Sequence, residues 1–471
     1  MLMANDRDVQ VKNLSLYYLA VKTRIPLKFG PETTTHATCA RVRIGVESRD
    51  GRRAEGWGET PLSVAWVWPS ELSYEVRLAA MQEFCLLLAK EWKDIDTWGH
   101  PMEIGQIFLH EHLPALAETY NAKRIAEGRQ PMPKLAFLVC SASFDLALFD
   151  AYGNLHGISS FDTLNAKFMN RDLSWFYGAE YDAVFKNRYP EEFLVRPIPL
   201  SLPAWHLVGG KDILSRAELT GTEPDDGYPV ILPDWIRRDG LKCLKIKLTG
   251  MDPEWDYNRI LRVGEIAIEG GVDWLSADFN CTVHDPAYVN QVLDRLLREA
   301  PRVYGMLLYI EQPFPYDLEN NRIDVHSLSA RKPLFMDESA HDWKYLALGR
   351  TLGWTGVALK TCKTLTGALL SLCWAKTAGM TLMVQDLTNP MLAQIPHVLL
   401  AAHAGTIMGV ETNSMQFYPE ASKPEQVVHP GIFARTGGCV HLDSLGTTGL
   451  GYRIGEIKRR LPEPSWEGGK A

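Results

Sequence analysis

Cysteine is sparse and unpaired in this sequence: eight in 471 residues, at 39, 85, 140, 243, 281, 362, 373 and 439, with no C-x-x-C spacing. That pattern argues against both a disulfide framework and a thiolate zinc site. A basic block is also missing. Positive residues cluster only in short runs such as Lys458-Arg459-Arg460, and the formal charge is −8, so no nucleic-acid partner is expected. The start, Met1-Leu2-Met3-Ala4-Asn5-Asp6-Arg7-Asp8, lacks the apolar stretch of a signal peptide. No uninterrupted apolar run approaches bilayer length, so no membrane partner is expected either. A soluble cytoplasmic protein is the expectation. Apolar residues make up 46% of the chain, enough for sizeable cores, and the length suggests two or three domains.

Residues 9–65 read as strands: Val9–Lys22, Cys39–Ser48, and Arg52–Thr60 after the turn Arg49-Asp50-Gly51. Residues 70–165 read as helices, most clearly Ala136–Asn154, with a glycine stop near Gly153 and Gly157. Residues 166–195 are aromatic, charged and poorly periodic, and read as an insertion loop. From Pro197 the pattern changes. Short apolar runs, each followed by a helical stretch, recur at Ile198–Leu202, Cys243–Leu248, Trp274–Asp278, Gly305–Glu311, Pro333–Asp337, Gly356–Lys360, Thr381–Asp386 and Ile407–Glu411. Eight such units predict an α/β fold built on a (β/α)₈ barrel. Its last helix is short or displaced, and a Gly- and Pro-rich tail follows.

In such barrels the chemistry sits at the C-terminal ends of the strands. Here the central strands end in charge: Lys245 and Lys247, then Asp278, Glu311, Asp337 and Lys360. Three carboxylates on consecutive strands, about 4.8 Å apart, would repel one another. A divalent cation resolves this, and an all-oxygen ligand set suits Mg²⁺, with Mn²⁺ as a substitute. Each carboxylate could instead simply cap the next helix. In Lys245-Ile246-Lys247 strand alternation puts both lysines on one face. A cation beside a cation would lower a lysine pKa and make a usable base. Lys360 lies across the predicted barrel mouth, and Lys363 is a weaker candidate.

These residues resemble the enolase superfamily, in its muconate-lactonizing and dipeptide-epimerase branch. Leu244-Lys245-Ile246-Lys247 matches its K-x-K motif. Asp278-Phe279-Asn280, Glu311-Gln312-Pro313 and Asp337-Glu338-Ser339 match its D-x-N, E-Q-P and D-E-S strand ends, and Lys360 its sixth-strand lysine. The spacings from Lys247 through Asp278, Glu311 and Asp337 to Lys360 are 31, 33, 26 and 23 residues. Gly56-Trp57-Gly58-Glu59 and Ile25–Phe29 resemble the loops that close the active site, and Ser143–Gly157 resembles a cap helix. Gly449-Leu450-Gly451 resembles the segment that returns to the cap. The resemblance implies a modified, TIM-like (β/α)₇β barrel with an N-terminal α+β capping domain completed by the C-terminal tail. The domain boundaries implied are 1–195 for the cap, 196–435 for the barrel and 436–471 for the returning segment.

The resemblance also implies the chemistry, which is this superfamily's known use of a lysine base with magnesium to stabilise an ene-diolate. Lys247 and Lys360 would move the α-proton of a carboxylate, with Lys245 beside them, and Asp278, Glu311 and Asp337 would hold Mg²⁺. Asn280, Glu338, Asp386, Glu411, Asn413, Lys28 and Trp66 are the candidate substrate-binding or supporting residues. The expected partner is a small carboxylate, and a homo-oligomer is expected.

The sequence departs from the branch in several places. Lys363 is followed by Thr364-Leu365-Thr366-Gly367, and strand seven ends in Val384-Gln385-Asp386 without a histidine. Strand eight ends in Glu411-Thr412-Asn413 where dipeptide epimerases carry D-x-D, and the cap is longer over 91–134 and 158–195. His397 and His403 read as packing residues of a helix. Racemisation or epimerisation is the leading expectation. Acid-sugar dehydration or lactonizing cycloisomerisation is the alternative, and a catalytically silent barrel a distant third.

Overall fold

A computed structural model describes residues 5–29 and 32–470; the side chains of Lys28 and Phe29 fall outside that description, and with them the expected role of Lys28. Strands β1 (Val9–Phe29), β2 (Glu32–Ser48) and β3 (Arg53–Pro61) form an antiparallel sheet. The expected loop near Ile25–Phe29 is instead the continuation of the β1–β2 ribbon, after a register shift between Lys22 and Leu27. Arg24 pins that extension to the barrel, bonding Asp226 at 2.6 Å and the carbonyl of Tyr228 at 2.9 Å.

Helix α1 (Tyr74–Asp94) and helix α2 (Lys134–His156) cover the sheet. Although α2 is long and apolar enough to cross a membrane, its apolar window is wholly buried inside the protein. The Gly56-Trp57-Gly58 stretch of β3 explains how closely it lies. A Cβ at Gly56 would come 2.0 Å from the Ala151 nitrogen, and one at Gly58 2.1 Å from the Ser143 oxygen. Two aspartates of α2 tie the parts together. Asp150 accepts from the backbone of Trp57 at 2.9 Å and of Leu450 at 2.7 Å. Asp145 accepts from the nitrogen and hydroxyl of Thr366, at the start of helix Leu365–Thr377.

The barrel strands are β4 (Ser201–Val208), β5 (Cys243–Lys247), β6 (Trp274–Asp278), β7 (Leu307–Glu311), β8 (Leu334–Met336), β9 (Gly356–Leu359), β10 (Thr381–Val384) and β11 (Val410–Glu411). They pair in parallel in the order β10-β9-β8-β7-β6-β5-β4-β11. The seam is bridged where the Ile407 nitrogen donates to the Leu382 oxygen at 2.8 Å. Aspartates start three of the crossing helices: Asp252 before Pro253–Glu269, Asp285 before Pro286–Glu299 and Asp342 before Trp343–Leu352, each bonding backbone nitrogens of the first turn. Trp205, Cys243, Tyr309, Phe335 and Met383 fill the barrel interior below the charged strand ends. Strand β12 (Cys439–His441) runs antiparallel beside β4, and β13 (Trp466–Gly469) adds to β1, so the tail completes the cap sheet.

Two expectations need correction. The first barrel strand is Ser201–Val208 rather than Ile198–Leu202, because Pro197 and Pro199 lack the N–H a strand ladder needs. Residues 166–195 are not an open loop. Short helical turns there bury Phe168, Phe176, Tyr177, Phe185 and Phe193.

Candidate active site

Register builds the site. Lys247 lies beside Asp278 across the β5–β6 ladder, and Asp278 beside Glu311 across β6–β7. Alternation then aims Lys245, Lys247, Asp278, Glu311, Asp337 and Lys360 toward the barrel axis, above the apolar layer. Strands β5 and β9 are four apart in the barrel, so Lys247 and Lys360 approach from opposite sides.

The ring is closely ion-paired. Lys245 lies 2.6 Å from Glu311 and 3.2 Å from both Asp278 and Glu411. Lys247 donates to Asp278 at 2.5 Å and to Asn280 at 2.7 Å. Lys360 meets the carboxylate of Asp337 at 3.1 Å and the carbonyl of Asp386 at 3.0 Å. Lys363 donates to the carbonyls of Asp337 and, at 3.2 Å, Ala340. It sits on the turn Thr361–Lys363, just before helix Leu365–Thr377.

Protonation follows from these contacts. Burial pushes Asp278 up, but Lys247 and Lys245 outweigh it and hold the carboxylate well below its usual range. Glu311 goes the other way. Burial and the neighbouring charge of Asp278 push it well up, because Lys245 is shared among three carboxylates. Burial opposes the charge on Lys245 and Lys360, yet the carboxylates they touch raise both above the usual lysine value. The expected depression by a neighbouring cation therefore fails for these two, since each packs against anions. Lys363 is lowered, chiefly by burial.

The remaining candidates are placed as follows. Trp66, on the short helix Val64–Val67, donates to Glu338 at 2.8 Å, and its ring lies 5.1 Å from the Lys360 ammonium. It forms a cover over the lysines rather than an open apolar surface. Glu411 is buried against Lys245 and accepts from Asn413 at 2.7 Å. Asp386 takes backbone hydrogens of Asn389 and Asn413, at 2.8 and 2.6 Å, so it ties two loops together. His397 bonds the Glu411 carbonyl at 2.7 Å, and His403 stacks on Phe161, as packing residues of helix Gln394–Ala404.

Sequence reasoning passed over Gln385 and Gln312. Gln385 donates to Glu311 at 2.5 Å, and the period of two along β10 that turns Met383 inward carries its signal. Gln312 accepts from the Asp337 nitrogen and from the Ser339 hydroxyl, both at 2.8 Å, and so locks β7 to the end of β8. Nothing in its pattern marks that role. Its φ of +30°, with +51° at Asn280, places unusual backbone at the strand ends, where functional loops concentrate strain.

Among the described residues the carboxylates do not close into a ligand cluster. Lys245 stands between Asp278 and Glu311, while Lys360 and Lys363 hold Asp337. The donor chemistry nonetheless fits a hard divalent cation. Asp278, Glu311 and Asp337 offer only oxygens, and one Asp337 oxygen is buried without a hydrogen-bond partner.

Comparison with known proteins agrees with the fold. No curated protein is similar in sequence. The fold is similar to that of the muconate lactonizing enzyme from Mucobacterium Smegmatis complexed with muconolactone, at 15% identity over 96% of this chain and 97% of that one, TM-score 0.59. It is similar to the L-Ala-D/L-Glu epimerase from Bacillus subtilis at 17% identity, over 94% of this chain and 98% of that one, TM-score 0.60. A dipeptide epimerase from Enterococcus faecalis V583, complexed with Mg and the dipeptide L-Leu-L-Tyr, matches at 16% identity over 94% and 99%, TM-score 0.59. Residues 232–458 match the family model for the enolase C-terminal domain-like fold. That match covers most of the barrel, and the whole chain has the cap-and-barrel fold of these solved structures.

Proposed function

We propose that the chain is an isomerase that transfers the proton α to a substrate carboxylate, a racemase or epimerase working through an enolate. The observation that carries this reading is the placement of Lys247 and Lys360 on opposite barrel strands with the buried carboxylates between them. A carbon held between the two amines would face one on each side, which is what inversion of a stereocentre requires. Asn280 and Asp278 orient the Lys247 amine; Trp66 and the Asp386 carbonyl orient that of Lys360 and shield it from water. Asp278, Glu311 and Asp337 would hold Mg²⁺, or Mn²⁺ in its place, and the ion supplies positive charge that stabilises the developing enolate oxygens. Lys245 neutralises part of the carboxylate charge and braces Glu311 and Glu411.

Cycloisomerisation uses the same enolate, and the fold shared with a muconate lactonizing enzyme keeps it as the second reading. The test is α-proton exchange in D₂O with Mg²⁺, over a set of N-acyl amino acids, dipeptides and simple carboxylates. Deuterium uptake with loss of optical purity supports racemisation or epimerisation. Uptake with ring closure and retained configuration would move the assignment to lactonization. No exchange by any member, with metal binding shown independently, would remove the enolate reading altogether.

A further inference from the structure

The turn that follows Lys360 is held by the cap as well as by the barrel. Lys360 leads into Thr361–Lys363, and the Lys363 nitrogen donates back to the Lys360 carbonyl at 3.2 Å. Cys362, in the middle of that turn, is buried in the apolar core shared with the cap sheet and α2. Thr364 then adopts φ +71° and ψ +147° before helix Leu365–Thr377 begins. For a β-branched residue this backbone is strained, and it persists only where its surroundings fix it.

Asp145 of α2 supplies that fixing. Its carboxylate accepts from the Thr366 nitrogen at 2.9 Å and from the Thr366 hydroxyl at 2.7 Å, while the Thr364 hydroxyl accepts from the Gly367 nitrogen at 3.0 Å. Asp145 and Thr366 are only 2% and 0% exposed. No cationic side chain pairs with Asp145 among the described residues, and burial pushes its carboxyl up to about 6 against the Thr366 donors that lower it. The start of the helix is thus its main source of positive potential. Packing alone gives no reason to bury an unpaired carboxylate there. Gly105 of helix Pro101–Ile107 closes the junction. A Cβ there would lie 2.3 Å from the Thr366 hydroxyl oxygen and 2.7 Å from an Asp145 oxygen, so only glycine fits. The opposite amine is held differently. The partners of Lys247, Asp278 and Asn280, and the Thr282–Thr249 bond beside it all lie within the barrel.

We propose that Asp145 is a positioning residue for Lys360. From the cap it fixes the start of helix Leu365–Thr377 and, through the strained Thr364 turn, the amine that serves one face of the substrate; this rests on the reading that Lys247 and Lys360 serve opposite faces.

The experiment measures α-proton exchange in D₂O for wild type, Asp145→Asn, Thr366→Val and Thr366→Ser. The probe is the N-acyl amino acid or dipeptide that wild type exchanges fastest, taken in both configurations at the α-carbon. Lys360→Ala identifies the configuration that depends on Lys360. Asp145→Asn should slow exchange of that form at least tenfold in kcat, with its KM and the exchange of the other form within twofold of wild type. Thr366→Val should act in the same direction, at least threefold, and Thr366→Ser, which keeps the hydroxyl, should match wild type. A crystal structure of Asp145→Asn, or of Thr366→Val should the first not fold, should show the Lys360 ammonium moved off the Asp386 carbonyl while Lys247 keeps Asp278 and Asn280. Equal loss for both configurations, no loss for either, or an unmoved Lys360 would overturn the proposal. Should wild type exchange neither configuration, the isomerase reading falls, and the position of Lys360 in the variant structure alone decides the role of Asp145.

Discussion

Gln385 gives Glu311 a hydrogen bond from outside the ring of ion pairs. Groups that orient metal-binding carboxylates commonly contribute 10- to 100-fold in metal affinity. Gln385→Leu should therefore weaken Mg²⁺ binding by about that factor, read by metal titration, while the chain stays folded. Arg435 has a different role. It pairs with Asp239 at 2.8 Å and reaches the Thr412 carbonyl at 3.3 Å, so it supports the segment that carries Glu411. Both side chains are buried, and truncating one partner of such a pair costs about 3–5 kcal/mol. Arg435→Ala should lower unfolding stability by that order in urea titration, and adding Asp239→Asn should recover part of the loss. At this scale the sequence shows which residues end the barrel strands, because period-two alternation fixes which side chains face the axis. It does not show where each ammonium goes. Lys245 bonds Glu311, two strands away across the barrel interior, and local spacing carries no information about that.

Among elements, α2 is the hub, and Asp150 joins it to β3 and to the tail. Burial pushes the Asp150 carboxyl up to about 7, against the backbone donors of Leu450 and Trp57 that lower it. Unfolded, it titrates near ~3.9. The folded state thus holds a proton between these values that the unfolded state has lost. The resulting stabilisation is complete at low pH and fades as pH rises toward 7, by up to about 1.4 kcal/mol per unit. Asp150→Asn removes this titration, so the stability gap between wild type and variant should be largest near pH 5 and smaller at pH 8. Thermal melts of the two proteins across that range check it. The strands of the cap and barrel were legible because their alternation and apolar runs are strong. The 166–195 segment was not. Its turns are too short to show helical periodicity, and only tertiary packing tells a buried aromatic from an exposed one. The length of the β1–β2 ribbon was hidden for a related reason: polar, threonine-rich residues 32–38 pair through backbone bonds that ignore side-chain pattern.

At the scale of the whole molecule, cap and barrel enclose one ring of charge, and Mg²⁺ binding there should stabilise the folded chain. At a metal concentration one hundred times the dissociation constant the gain is about 2.7 kcal/mol. Melting temperature should rise with added MgCl₂ and fall back with EDTA, and an Asp278→Asn, Glu311→Gln, Asp337→Asn triple variant should lose that response.

The central claim is that two opposed lysines act on opposite faces of one carbon. The measurement that tests it most directly is α-proton exchange in D₂O, followed by NMR on each enantiomer of a reactive substrate, for wild type, Lys247→Ala and Lys360→Ala. Wild type should exchange both enantiomers. Each variant should exchange only one, and a different one, with the lost reaction slowed about 10²- to 10⁴-fold. Variants that both exchange the same enantiomer, or that both retain wild-type exchange on the two faces, would contradict it.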